Sequence, residues 1–182
     1  MGTRDLLIEN GAALFAEKGF HGVGVEELGE SVGLTGPALY RHFRTKGALL
    51  AAMLINVSES LLLGATHVIA ENLDPEQTLI ALINQHIEFA ITYPDLIRVH
   101  ERDFSNLAED DARQVRRLQR RYVEQWVDQI QRVRHNESSE SARTMAHAVF
   151  GLLNSTPRIR SVQRRNEVAA TMRGLAQRAL LS

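Results

Sequence analysis

The 182-residue chain contains no cysteine, which excludes disulfides, thiolate zinc sites and cysteine nucleophiles together. Its start, MGTRDLLIEN, has no apolar signal region, and the longest uninterrupted apolar run, 48–55, is too short to span a bilayer. A cytoplasmic address with no membrane partner is therefore expected. Met1-Gly2 opens like a myristoylation site, but Leu6 stands where Ser or Thr is wanted. Asn-x-Ser/Thr triplets at Asn56, Asn136 and Asn154 carry little meaning without an export signal. No Gly-rich phosphate loop, metal quartet or paired-acid arrangement is present, so neither a cofactor nor a metal ion is expected. His100-Glu101-Arg102-Asp103-Phe104 begins like a zinc-protease HExxH and fails at Phe104, which cannot ligate. Excess charge is missing too, with a formal net charge of −1.

Composition is that of an ordinary globular chain, 44% hydrophobic and 24% charged. The length accommodates one average domain, or a small one followed by a larger one. Charge placement says more than its sum. Residues 1–50 carry Arg4, Lys18, Arg41, Arg44 and Lys46 against Asp5, Glu9, Glu17, Glu26, Glu27 and Glu30. All the acids lie by residue 30, whereas most of the bases lie within 41–46.

That basic cluster belongs to VEELGESVGLTGPALYRHFRTKGALL, residues 25–50, the one stretch whose spacing fixes an identifiable function. The pattern predicts a short helix over 25–32, with Val25, Leu28 and Val32 on one face and Gly33 as its stop. Leu34-Thr35-Gly36 leaves room only for a tight turn, and Pro37 suits a first helical position. The pair reads as a helix-turn-helix, whose second helix enters the major groove while the first crosses the backbone. Leu39 and Phe43 must pack inward, leaving Thr35, Gly36, Ala38, Tyr40, Arg41 and His42 to face out or flank. Small groups at the tip let the backbone approach base edges; the tyrosine hydroxyl, guanidinium and imidazole reach phosphates or bases. Lys46, opening the next helix, is placed for a phosphate oxygen. With so few phosphate contacts one protomer binds weakly, which requires a dimer on two half-sites.

The run Leu34-Thr35-Gly36-Pro37-Ala38-Leu39-Tyr40-Arg41-His42-Phe43-Arg44-Thr45-Lys46-Gly47-Ala48-Leu49-Leu50 resembles the DNA-binding segment of the TetR family of transcriptional repressors. That segment reads apolar-(Ser/Thr)-x-x-x-Leu-Tyr-x-His-Phe-x-x-Lys-x-x-Leu-Leu. Upstream, Phe15-Ala16-Glu17-Lys18-Gly19-Phe20 is similar to the family's first helix and turn, so the likeness covers roughly residues 3–55. Two departures stand out. Val23 and Gly24 replace a hydroxyl pair, removing a phosphate contact and a side-chain cap, and Gly36 replaces a longer polar residue at the helix tip. The resemblance implies an all-α fold of about nine helices. A three-helix DNA-binding domain would occupy 1–47 and a helical ligand-binding and dimerisation domain 48–182. It implies DNA contact through Thr35, Gly36, Pro37, Ala38, Tyr40, Arg41, His42 and Lys46.

Helical periodicity continues to the C-terminus. Helices are predicted over 3–18, 46–70, 75–92, 95–108, 109–134, 139–153 and 166–181. The helix from Lys46 links the DNA-binding unit to the rest and is the candidate lever. Arg4, near the start of the first helix, is either a solvated terminal charge or a DNA contact. His86, on the stripe Leu79-Leu82-Ile83-Ile87-Ala90, is either a satisfied core histidine or a polar group in a ligand cavity. Arg98, His100, Glu101, Arg102 and Asp103 are surface pairs or part of a pocket. Arg113, Arg116, Arg117, Arg120 and Arg121 lie opposite the apolar stripe of their helix: a solvated face, or a site for an anionic ligand's phosphates or an acidic partner.

Tyr122 and Trp126 are core or cavity lining. With His86, Phe89, His100 and Phe150 they make the candidate ligand site. The resemblance assigns the last two helices to a homodimer interface, through Val149, Leu153, Met172, Leu175, Ala176 and Ala179; the alternative is that they complete the monomer's own core. The loop 154–160 between them has no evident role.

The expected function is a ligand-responsive repressor that binds double-stranded palindromic operator DNA as a homodimer and is released by a small-molecule effector, an acyl-CoA or another apolar metabolite. A cationic effector is less favoured, with Glu88 and Glu101 as its only evident partners. A constitutive DNA-binding dimer is the alternative. More remote is a serine hydrolase, because Gly29-Glu30-Ser31-Val32-Gly33 spells a nucleophile elbow, a motif that needs a strand before its serine.

Overall fold

A computed structural model describes residues 2–159 and 165–181. Among them the chain forms nine α-helices and no strand. They are α1 (Thr3–Lys18), α2 (Val25–Glu30), α3 (Gly36–Leu39), α4 (Lys46–Ala70), α5 (Pro75–Thr92), α6 (Pro94–Asp103), α7 (Glu109–Val133), α8 (Ser139–Leu153) and α9 (Arg165–Leu181). Single 3₁₀ turns follow α6, at Phe104–Asn106, and α8, at Thr156–Arg158. The all-α expectation holds.

Helix boundaries follow local chemistry. At α5 the Asp74 carboxylate accepts from the N–H groups of Glu76 and Gln77, both at 3.1 Å, with Pro75 as the first helical residue. At α8 the Ser138 hydroxyl accepts from Ser141 N–H at 3.1 Å. Three boundaries differ from the periodicity. α2 stops at Glu30 rather than 32, because Val32 and Gly33 N–H already bond the Gly29 and Glu30 carbonyls in tighter turns. α3 begins at Gly36, so Pro37 is its second residue, and it lasts only four residues. α6 ends at Asp103, short of 108.

The chain divides into two compact units. The first holds Met1–Ser58 with Asp95–Arg116, the second Glu59–Pro94 with Arg117–Ser182. These units do not follow the division at 47/48 drawn from the sequence, because α6 and the start of α7 pack with the N-terminal helices. In the first unit Leu7 and Phe15 of α1, Leu28 of α2, Leu39 of α3 and Leu49, Leu50 and Met53 of α4 share a core with Val99 and Val115. In the second, α5 packs on α8 and α9, with Leu79, Leu82, Ile83, Trp126, Ile130, Ala146, Leu153 and Ala176 buried.

By length and composition alone α4 is long and apolar enough to cross a membrane, with a mean hydropathy of 1.8 over its best window. Counting only the uninterrupted run 48–55 missed this. Part of its apolar content is core: Leu49, Leu50, Met53, Leu54, Leu62 and Ala65 are buried, while Leu63 is exposed along with Asn56, Glu59, Ser60, Thr66 and His67.

Candidate functional site

The helix-turn-helix is set by how closely α2 meets the turn into α3. A Cβ on Gly29 would lie 2.8 Å from the Leu34 carbonyl oxygen and 3.2 Å from Gly36 N, so only glycine fits there. Leu34 N–H donates to Gly29 O at 2.9 Å, and Gly33 turns the chain with φ +72°. From α1, Asn10 Nδ2 donates to Ser31 O at 2.7 Å. The Ser31 hydroxyl donates to Leu28 O at 2.8 Å, and with no strand among the described residues this serine lacks the setting of a nucleophile elbow. The glycine spacing there serves packing.

This frame exposes Thr35, Pro37, Tyr40 (50% exposed), Arg41 and His42, leaves Ala38 partly buried, and buries Leu39 and Phe43. Two expected DNA contacts are placed differently. Gly36 is buried, its Cα side facing the Glu26 side chain, where an added Cβ would come within 3.2 Å of Cγ. Lys46 is half-buried: its ammonium donates to Val23 O at 2.8 Å and lies 4.6 Å from the Phe20 ring centroid. The start of α2 is bare, as the Val23-Gly24 departure implies, since Gly24 is its N-cap and no side chain bonds there.

The ionisable run in α6 does more than pair on the surface. Asp103 is 4% exposed and accepts from Phe20 N–H at 3.3 Å. Arg102 donates to this carboxylate, to Ala16 O at 3.4 Å and to Phe15 O. One arginine–aspartate pair thus satisfies carbonyls at the end of α1 and the amide just beyond it. Nothing in the local pattern announces this, because the partners lie more than eighty residues away. His100 belongs to the same unit, with its ring 5.3 Å from Phe104.

His100 therefore does not join the other candidate ligand residues, which meet in the second unit. The His86 ring lies 5.1 Å from Phe150, 5.7 Å from Phe89, 5.9 Å from Tyr122 and 6.1 Å from Trp126. Asn154, in the loop whose role the sequence left open, presents Oδ1 3.0 Å from His86 Nε2. An acceptor there requires Nε2–H to donate, so Nδ1 accepts from the Tyr122 hydroxyl at 3.0 Å. Burial pushes the imidazole pKa down to about 4, only partly opposed by the bond to Asn154, and pushes the Tyr122 phenol up. The cluster is neutral. Trp126 is fully buried, and among the described residues its indole N–H meets no hydrogen-bond partner at full bonding geometry, although it is aimed closely enough at the Tyr122 oxygen to oppose part of that rise. Thr156 Oγ1 donates to Ala90 O at 2.9 Å, fastening the same loop to α5; Arg160 of that loop lies outside the described residues.

Arg113, Arg116, Arg117, Arg120 and Arg121 of α7 are exposed. Arg113 pairs with Glu109 (3.3 Å) and Asp110, and Arg116 with Glu109 (2.9 Å), as on a solvated helix face.

Of the residues expected at a dimer interface, Val149, Leu153, Met172 (7% exposed) and Ala176 are buried within the chain itself. Side chains with so little accessible surface have little left to bury against a second copy, so these four pack mainly in the core of their own unit. Leu175 (38%) and Ala179 are exposed. They share the outer face of α9 with Thr171, and the outer face of α8 carries Thr144, Ala148 and Gly151.

Comparison with known proteins matches the chain as two consecutive segments. The family described as bacterial regulatory proteins, tetR family, matches residues 7–53, and the tetracyclin repressor-like C-terminal domain matches 72–158. Over 86 residues the chain is 28% identical to the HTH-type transcriptional activator FasR of Mycolicibacterium smegmatis (strain ATCC 700084 / mc(2)155), a match covering 47% of this chain and 39% of FasR. Over 110 residues it is 24% identical to the HTH-type transcriptional repressor KstR2 of Rhodococcus jostii (strain RHA1), covering 60% of this chain and 54% of KstR2. The matches thus span about half or less of these curated relatives. AibR, solved in complex with isovaleryl coenzyme A and operator DNA, shares the fold at a TM-score of 0.79 and 15% identity, over 96% of this chain and 97% of AibR.

Proposed function

The chain belongs to the TetR family of bacterial transcriptional regulators, and on that premise we propose that it is a repressor, binding a palindromic operator as a homodimer and leaving it when a small molecule binds. The observation that carries this reading is the tight α2–α3 junction at Gly29, which holds Thr35, Pro37, Tyr40, Arg41 and His42 outward as one surface. Tyr40 and His42 hold phosphates, and Pro37 and Ala38 let the backbone approach base edges. Action on operator DNA places the protein in the cytoplasm.

The dimer forms through the exposed faces of α8 and α9, with Ala148, Gly151, Leu175 and Ala179 at its centre. Among the described residues, and leaving aside the backbone of α8 itself and the two neighbouring residues, nothing lies within 4 Å of where a Gly151 Cβ would be. Its own fold therefore does not require a glycine there, whereas a close helix–helix approach across a two-fold does.

The effector enters the second unit beside His86, Phe89, Tyr122, Trp126 and Phe150. These side chains are aromatic and uncharged, which favours an apolar or acyl group over an ion. AibR, with isovaleryl coenzyme A, supports an acyl thioester as the first class to try. Because α4 runs from the unit that carries the reading head into the second unit, an effector that shifts α4 alters the support of the reading head. Release then needs only a few kcal/mol of preference for the shifted state.

A second reading, a constitutive dimer without effector, draws on one feature: His86, Tyr122 and Asn154 already satisfy one another, as in a closed core. A thermal-shift screen against acyl-CoAs and aromatic metabolites, followed by operator release with each hit, separates the two. A true effector at a hundred times its Kd stabilises by about 2.7 kcal/mol and weakens operator binding. Stabilisation without release, or no hit, favours the constitutive dimer.

A further inference from the structure

We infer that Arg4, rather than Lys46, supplies the cation that grips a DNA phosphate beside the recognition turn, with the Phe43 ring as its platform. The assignment rests on the proposal that residues 35–42 enter the DNA groove.

Lys46 is already committed. Its ammonium is bonded to the carbonyl of Val23, a buried residue, and lies over the Phe20 ring. Reaching for a phosphate would surrender both contacts and leave a buried carbonyl unpaired. In this position Lys46 ties the α1–α2 loop to the first turn of α4.

Arg4 is the opposite case. It is exposed, and its guanidinium carbon lies 5.0 Å from the Phe43 ring centroid. Phe43 stands between His42 and Arg44, both exposed, directly after the segment proposed to meet DNA. The exposed guanidinium keeps N–H donors for a phosphate, and its contact with the ring removes part of the rotamer entropy that gripping a phosphate would otherwise cost. Among the described residues no carboxylate pairs with it; the neighbouring Asp5 accepts from Gly2 N–H at 3.0 Å. Helix stability does not explain a base here either, because a cation in the first turn opposes the helix dipole.

The start of α2 offers no grip on the backbone. Gly24 offers no side chain at the start of α2, and Glu26 and Glu27 fill its first turn. These acids repel phosphate. Among the described residues the cations around the recognition turn with no ion pair are Arg4, Arg41 and Arg44, and of these Arg4 is held against an aromatic ring.

The test uses the full chain and two duplexes of equal length: an operator recovered by selection from a random-sequence pool, and a non-cognate mixed sequence. Affinity is measured by fluorescence anisotropy across a series of KCl concentrations. R4M should flatten the slope of log K against log[salt] by about 0.9 per protomer, equally on both duplexes, and R4K should restore most of it. K46M should keep the wild-type slope while lowering the thermal midpoint. Wild-type slope in R4M, or a flattened slope in K46M, overturns the assignment while leaving the regulator reading intact. Wild-type protein that retains neither duplex at low salt overturns that reading, and this inference with it.

Discussion

Acidification provides a direct test of the neutral aromatic cluster. His86 has its pKa lowered from 6.5 to about 4 by burial, whereas in the unfolded chain it should titrate near 6.5. Above pH 6.5 the imidazole is neutral in both states and contributes no pH dependence. Between 6.5 and 4 the unfolded chain binds a proton that the folded chain refuses, so stability falls with pH by 1.36 kcal/mol for each unit. The full loss is about 3 kcal/mol, complete near pH 4; about 2 kcal/mol of it is gone by roughly pH 5, before most carboxylates protonate. Protonation would also place a second N–H against the Tyr122 hydroxyl and force that hydrogen bond to reverse.

The chain's single tryptophan, Trp126, lies in the cluster, so its fluorescence reports unfolding of this unit in urea. The comparison is wild type against His86→Gln, which fills the site with a side chain that cannot take up the proton. At neutral pH the variant should be the less stable. By about pH 5 its deficit should shrink by about 2 kcal/mol, because only wild type loses stability through this residue. A deficit constant from neutral pH to pH 5, or an NMR titration of His86 near 6.5, would refute both the neutral tautomer and the closed hydrogen-bond chain.

The remaining expectations concern packing. Gly29→Ala should cost about 1–3 kcal/mol, as a methyl forced against backbone does, and should weaken DNA binding beyond what lost stability explains; denaturation and anisotropy together measure both. Met172→Asp places a carboxylate in the core and should unfold the second unit at a cost of about 3 kcal/mol or more, seen as a lost thermal transition. A well-folded Met172→Asp monomer would instead return this residue to the interface. Leu175→Glu should leave the fold intact and yield monomers by sedimentation with much reduced operator affinity; a stable dimer would move the interface off α9.

Much of this protein was legible from the sequence because it depends on contacts near in the chain. The bounds of α1, α4, α5 and α8 follow from apolar spacing, caps and breakers, and the recognition segment from residue types at fixed intervals. The misplacements have a common cause. Periodicity shows that Val149, Leu153, Met172 and Ala176 face something apolar, but not whether that is their own chain or a second one. Gly36 was expected to face out or flank the recognition helix and Lys46 to meet a phosphate; α2 covers the first, and the loop after α1 captures the second. A window that tolerates Ser58 and Glu59 also finds in α4 a longer apolar helix than an unbroken run does.

By itself the sequence determined an all-helical chain carrying a helix-turn-helix, because 3.6-residue periodicity and turn residues act within a few positions of one another. Only the tertiary structure decided which polar groups are paired. It joined Asp103 to Phe20, His86 to Tyr122 and Asn154, and Arg4 to Phe43 across separations of up to 83 residues. Such pairings decide charge state and accessibility, and they form only when the folded cores bring distant segments within hydrogen-bond reach.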